Sequence, residues 1–332
     1  MTKSTTVDVS KRDVPKYDVI VVGGGAAGLS GAKNLARARR SVLVVDDGQP
    51  RNAPAGHIHN YLAREGTPPL ELLAIGRREL AEYGGEVVSG RVSATSAIDG
   101  GFEVTLADGK TVQSRRLLVA TGLVDRLPDV PGVADRWGRD VLHCPYCHGW
   151  EVRDQAIVIL ATNPMSMHQA LLFRQLSSDV TVLLHNSTVL SDDELEQLAA
   201  RDIAVVEDTA TGLTVVDDRL TGVQLASGGV LECQAVVVAP RFEARVDFLA
   251  GLGLQAQDID MGGHVFGTAI TADANGATSV PGVWAAGNVS DMSAQVIVAA
   301  ARGVAAAAQI NADLVLEDTR LAVAARRALA SV

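Results

Sequence analysis

The sequence Tyr17-Asp18-Val19-Ile20-Val21-Val22 has the character of a buried strand, and it runs straight into Gly23-Gly24-Gly25-Ala26-Ala27-Gly28. A helical pattern follows, with Leu29, Ala32, Leu35 and Ala36 on one side. Strand, glycine turn and helix in that order commit the chain to a βαβ start. Gly23 permits the tight turn, Gly25 lets the backbone approach a pyrophosphate, and Gly28 lets the helix close on the strand, with the anion on the helix N-terminus. The next strand, 41–45, ends in Asp46, eighteen residues after Gly28, where a carboxylate accepts hydrogen bonds from ribose hydroxyls. A glycine turn in an ordinary βαβ unit would leave that acid without a task, so the segment predicts dinucleotide binding.

The remaining composition agrees with an α/β protein. A chain of 332 residues has room for about two domains, and a hydrophobic share of 47% with only 4% aromatic residues suits parallel strands buried under helices. The net charge of −10 argues against a nucleic-acid surface, which needs clustered Lys and Arg. The short basic runs, Arg37 to Arg40 and Arg326-Arg327, read as solvated helix ends. No apolar run approaches the roughly twenty residues of a membrane span. The polar stretch 1–16 lacks the apolar centre of a signal peptide and reads as a disordered arm, so the expectation is a cytoplasmic protein.

After Asp46 comes a turn-rich loop, Asp47-Gly48-Gln49-Pro50-Arg51-Asn52-Ala53-Pro54, followed by His57, His59 and Asn60; its position brings it near a cofactor. The pattern then predicts an amphipathic helix over 68–83, short strands over 86–114 with a hairpin at Asp108-Gly109, and a buried strand ending in Ala120-Thr121-Gly122. Past Pro128 and Pro131 the order restarts: strand 155–161, helix 165–176, strand 180–184, helix 192–201, short strands 204–225 and a closing strand 235–239. This reads as a second copy inserted into the first, with boundaries at 17–126, 127–243 and 244–332. In the copy, Ala161, Asn163 and Ser166 stand in place of the three glycines, and His185 in place of Asp46. Asn186, Ser187 and the acids Asp192, Asp193, Glu194 and Glu196 follow, where a cofactor with a 2′-phosphate needs Arg or Lys. The copy is expected to bind NADPH poorly or not at all; an unusual but working nicotinamide site is the alternative.

The inserted unit opens on His143-Cys144-Pro145-Tyr146-Cys147-His148-Gly149-Trp150-Glu151. Two thiols separated by two residues can close a small disulfide and exchange two electrons as a pair, and a histidine on each side favours the thiolate. Zinc needs four ligands, and the only other cysteine is Cys233, which reads as a buried core thiol, so no metal site is expected. In a reducing cytosol such a pair points to redox catalysis. Tyr146 and Trp150 suit stacking on a substrate or packing around the pair.

Ser279-Val280-Pro281-Gly282-Val283-Trp284-Ala285-Ala286-Gly287-Asn288 gives a late strand and glycine turn, which lead through Ala294-Gln295-Val296-Ile297 into an Ala-rich helix reaching about Asn311. With these motifs in order, the chain resembles the low-molecular-weight thioredoxin reductase family of FAD enzymes from Tyr17 onward. The stretch Cys144 to Glu151, the Gln49-Pro50-Arg51-Asn52 loop and the altered second fingerprint are most similar to the dithiol oxidases that close disulfides in holomycin- and gliotoxin-type natural products. The resemblance implies two Rossmann-like nucleotide-binding domains, the second inserted into the first, and a homodimer. It implies FAD held by Gly23, Gly25, Ala26, Ala27, Gly28, Asp46, Asp47, Gln49, Arg51, Asn52, His57, Asn60, Val92, Ala120, Thr121, Gly122, Gly287, Asn288, Ala294, Gln295 and Val296. Two residues depart from the thioredoxin reductase pattern. The usual aspartate of the late motif is Asn288, which hydrogen-bonds without charge, and the acid after the CxxC is His148, which can take a thiol proton and return it.

The expectation is therefore an FAD-dependent dithiol oxidase acting on a small molecule. Cys144 would be attacked by a substrate thiolate, Cys147 would face the flavin, His148 would manage protons, and molecular oxygen would take the electrons as hydrogen peroxide. The rival is a disulfide reductase running the other way, fed by NADPH or ferredoxin. A third reading, outside catalysis, is a flavin-bearing redox sensor that binds a partner according to the state of its CxxC.

Overall fold

The structure, a computed structural model, describes residues 17–185 and 189–330. The predicted arm 1–16 and the pair Asn186-Ser187 lie outside the described residues.

The opening is β1 (Tyr17–Val22), α1 (Ala26–Arg37) and β2 (Val42–Asp46), followed by α2 (Pro69–Glu82), β3 (Glu86–Ser89), β4 (Val92–Ile98), β5 (Gly101–Leu106) and β6 (Thr111–Val119). Gly28 is obligatory in the turn, because a Cβ there would lie 1.9 Å from the carbonyl oxygen of Gly23. The sheet runs β3-β2-β1-β6-β5-β4. β1 lies between parallel neighbours, Val19 to Val22 against Val42 to Val45 of β2 on one side and β6 on the other, so its residues are apolar on both faces. β6 divides its remaining edge. Its first half pairs antiparallel with β5, and its second half, Leu117 to Val119, pairs in parallel with the late strand Val283–Ala285. The carboxyl ends of β1, β2, β6 and that strand therefore meet at one edge, the place where open α/β sheets bind ligands.

The chain then passes through β7 (Leu123–Arg126), α3 (Val133–Arg136), β8 (Val141–Leu142), α4 (Pro145–His148), β9 (Ile157–Ala161), α5 (Met165–Phe173), β10 (Val180–Leu184), α6 (Asp192–Ala199), β11 (Ala204–Glu207), β12 (Ala210–Val216), β13 (Arg219–Leu225), β14 (Val230–Glu232) and β15 (Ala235–Val237). A second parallel sheet, β11-β10-β9-β15-β8, is built from this stretch, with β12-β13-β14 as an antiparallel sheet of its own. The acids Asp192, Asp193 and Glu194 occupy the first turn of α6, where Ser191 and Glu194 form a capping box and negative charge complements the helix dipole. Their clustering has a structural cause. β16 (Arg241–Ala244) then pairs antiparallel with β7, so the two crossings between the sheets hydrogen-bond to each other. β17 (Gln257–Met261), β18 (His264–Ala269) and β19 (Val283–Ala285) lead to α7 (Val296–Leu329).

Two expectations are corrected here. α7 runs 34 residues, to Leu329 rather than about Asn311. Its apolar face ends at Leu314, but Ala, Leu, Glu and Arg carry the helix on, and Arg115 and Arg116 of β6 hold Asp313, Glu317 and Asp318 at 2.5–3.1 Å. Arg40 is not a solvated helix end: its side chain, 12% exposed, bonds Asn311 at 2.8 Å and Asp318 at 2.7 Å. The helices α1 and α7 approach closely, since a Cβ on Gly303 would lie 2.0 Å from the Ala27 carbonyl oxygen.

Candidate active site

A cavity of about 1010 Å³ opens at the carboxyl edge of the first sheet and extends to the CxxC of the second unit. The turn residues Gly23, Gly25, Ala26 and Ala27 line it, as do Asp46, Asp47, Gln49, Arg51, Asn52, His57, Val92, Ala120, Thr121, Gly122, Gly287, Asn288, Ala294, Gln295 and Val296. Gly28 lies beneath the turn and packs it. Asn60 does not line the cavity: its Nδ2 donates to the Tyr146 carbonyl oxygen at 2.7 Å, because the chain turns through a left-handed conformation at Asn60, φ 60°. The N-termini of α1 and α7 both open into this space, so two sets of unpaired amides face one cavity.

Arg77, Asp125 and Arg245 escaped sequence reasoning, because each joins the predicted residues through a long-range pair. Asp46 accepts from Gly24 N at 3.1 Å through Oδ1, and its Oδ2 is ion-paired with Arg77 of α2 at 2.6 Å. The acid is thus partly engaged; each carboxylate oxygen retains a second lone pair for a hydroxyl. Arg51 donates a bidentate pair to Asp125 at 2.7 and 2.8 Å and lies over the Phe242 ring, 5.1 Å from its centroid. Arg245 comes within 3.7 Å of Asp47, and its carbonyl accepts from Thr121 Oγ1 at 2.8 Å. Asn288 donates from Nδ2 to the carbonyls of Asp291 at 3.0 Å and Ala294 at 2.9 Å. That turn delivers the start of α7, a bond pattern that an aspartate carboxylate, which only accepts, cannot make.

Cys144 and Cys147 are joined as a disulfide with Cα atoms 5.3 Å apart, and both line the cavity. Cys144 caps the single turn of α4, and Cys147 lies within it. The two flanking histidines differ. His143 also lines the cavity, but its Nδ1 lies 3.1 Å from both the Val238 carbonyl and Gln169 Nε2, its ring meets Phe242 edge-on, and burial lowers its pKa. His148 also titrates below its ordinary 6.5, chiefly because burial disfavours the charged ring. Its Nε2 is buried and meets no hydrogen-bond partner among the described residues, so a neutral imidazole stands at the cavity with a nitrogen to spare. Cys233 is fully buried and its thiol is pushed up to about 12 by desolvation, which keeps it out of thiol exchange. Tyr146 and Trp150 are 61% and 65% exposed, so packing around the pair does not account for them.

At the second fingerprint two of the substituted residues bond to the protein's own backbone. Asn163 donates to the Ala239 carbonyl at 3.0 Å and accepts from Met165 N at 2.9 Å. Ser166 is buried, and the His185 Nδ1 accepts from Ala210 N at 3.1 Å. None of these residues belongs to the large cavity.

The family described as pyridine nucleotide-disulphide oxidoreductase matches residues 17–303. Thioredoxin reductase sirT of Leptosphaeria maculans is 31% identical over 312 residues, which cover 89% of this chain and 93% of that protein. Thioredoxin reductase aclD of Aspergillus oryzae is 32% identical over 73% of this chain and 80% of its own. The crystal structure of HlmI superposes with a TM-score of 0.86 at 46% identity, over 93% of this chain and 96% of that chain; an oxidoreductase from Agrobacterium tumefaciens gives 0.85 at 32%, over 91% and 99%. The matched family implies FAD, and the residues fit it. A Cβ on Gly25 would meet nothing within 4 Å, leaving room for a pyrophosphate at the start of α1, and the cavity reaches the top of the roughly 300–1,000 Å³ range of small-molecule sites. Two parallel-sheet units, a glycine turn at the first and a redox disulfide facing its cavity agree with these matches: the chain belongs to the pyridine nucleotide-disulphide oxidoreductase family, as a thioredoxin reductase-like oxidoreductase acting on sulfur groups.

Proposed function

We propose that the protein is an FAD-dependent oxidase that closes an intramolecular disulfide in a small-molecule dithiol, with dioxygen as the final acceptor. The observation that carries this reading is the contrast between the two nucleotide fingerprints. The first opens into the cavity that holds the disulfide, whereas Asn163 and His185 are engaged with the protein's own backbone where a nicotinamide cofactor would be bound. Electrons therefore enter at the cysteines, not through NADPH. The reading includes a cytoplasmic homodimer.

In this reaction His148 accepts a proton from a substrate thiol, and the thiolate attacks the Cys144 sulfur, breaking the Cys144–Cys147 bond. The second substrate thiolate attacks the mixed disulfide, closes the substrate's ring disulfide and expels the Cys144 thiolate. Gly25 to Ala27, Asp46, Thr121, Asn288 and the start of α7 would hold the cofactor. FAD, when bound there, would supply the acceptor for the electron pair of the Cys144–Cys147 dithiol, and with dioxygen as the final acceptor one hydrogen peroxide would form per disulfide closed. Purified protein given dithiothreitol in air is expected to consume oxygen and form peroxide in equal amounts; a protein that does neither is not this oxidase. The names of the fungal relatives favour a second reading, a disulfide reductase, which would consume NADPH or reduced ferredoxin in the presence of a disulfide.

A further inference from the structure

The loop between β2 and α2 belongs to the first unit, yet its tip reaches the redox helix of the second. The tip is folded on itself: Ile58 is buried, its N–H donates to the Thr67 carbonyl at 2.9 Å, and the Gly66 N–H donates back to the Ile58 carbonyl at 3.0 Å. The Glu65 carboxylate then fixes two neighbours, lying 2.5 Å from His59 Nδ1 and accepting from Asn60 N at 3.0 Å. This ring aims two side chains at one target. Asn60 Nδ2 donates to the Tyr146 carbonyl at 2.7 Å, in the middle of Cys144-Pro145-Tyr146-Cys147. His59 Nε2 stands 3.3 Å from Glu151 Oε1, just beyond the same helix.

The target needs such support. α4 is a single turn closed by Cys147 N and His148 N on the Cys144 carbonyl, both at 3.2 Å, and by Gly149 N on the Pro145 carbonyl at 2.9 Å; the disulfide also spans it, but once the pair is reduced a single turn does not hold its shape in water. Tyr146 on the turn and Trp150 just after it are largely exposed and give it little anchorage. The contacts at Tyr146 and Glu151 bracket Cys147 and His148, the two groups whose placement in the cavity matters most.

We propose that His59 and Asn60 are positioning residues that clasp the loop after β2 onto α4 and hold the redox pair and His148 against the cofactor cavity. The inference rests on the dithiol exchanging electrons with the bound flavin, which the oxidase and reductase readings share.

The test uses the flavin-loaded protein and three variants. Asn60→Gly keeps the left-handed backbone and removes the amide, His59→Ala removes the ring, and His59→Gln restores one hydrogen-bonding arm. Two readouts are taken: the rate at which iodoacetamide alkylates Cys144 and Cys147 in the reduced protein, and the rate of anaerobic flavin bleaching by saturating dithiothreitol. Asn60→Gly and His59→Ala are expected to raise the alkylation rate several-fold and to slow bleaching tenfold or more, with flavin content and direct reduction by dithionite unchanged; His59→Gln recovers part of both. Unaltered rates in Asn60→Gly and His59→Ala overturn the clasp, as does a slowing that is accompanied by lost flavin. If dithiothreitol bleaches no flavin even in the unaltered protein, the electron route proposed above fails, and the alkylation rates still decide the clasp.

Discussion

The proposed role of His148 rests on what surrounds it. Burial favours the neutral ring, and its Nε2 meets no partner among the described residues, which suits acceptance of a substrate proton. The sign of the pH dependence follows. Turnover should be level above pH 6.5 and fall as the pH drops through the folded pKa, which lies below 6.5. His148→Ala should lose that acid limb and slow turnover on the order of 10²–10⁴-fold, the usual worth of a positioned acid–base group. A pH–rate profile of both proteins checks this; an acid limb that survives in His148→Ala assigns the titration elsewhere. His143, one residue before the pair, has the same pKa direction, but its Nδ1 already has the Val238 carbonyl and Gln169 Nε2 at 3.1 Å. Residue type alone does not separate the two.

At the scale of elements, the crossing of α1 and α7 sets where two helix N-termini point. Gly303 makes the approach possible, and Gly303→Ala would force the backbones apart, destabilising by about 1–3 kcal/mol or more. The start of α7 would shift with it, so the variant should lose flavin on gel filtration as well as melt earlier; a variant that keeps its flavin and melting temperature removes the crossing from the account. The β1–turn–α1–β2 unit was legible in the sequence because its requirements are local: strand period, three glycine positions and an acid at a fixed distance. The CxxC was legible for the same reason. Arg77 beside Asp46 and Asp125 beside Arg51 were not, since these pairs lie 31 and 74 residues apart and form only when the sheets fold. That Asn60 bonds Tyr146 instead of lining the cavity was not legible, because sequence proximity to Asp46 carries no record of the turn that sends it there. The length of α7 was missed because no apolar stripe continues past Leu314: Arg115 and Arg116 hold Glu317 and Asp318, and the exposed turns beyond them continue on helix-forming Ala, Leu and Arg alone.

Over the whole molecule, one fingerprint opens into the cavity of the disulfide, and in the other Asn163 and His185 are bonded to backbone groups. The proposed dithiol route into the flavin, with electrons entering at Cys144 and Cys147, rests on that asymmetry. Among the described residues no helix is long and apolar enough to cross a membrane. The most direct measurement is an anaerobic titration of the purified flavoprotein, with NADPH and dithiothreitol added to separate samples and the flavin absorption band followed. The account predicts bleaching by dithiothreitol and an unchanged band with NADPH. Rapid bleaching by NADPH would contradict it.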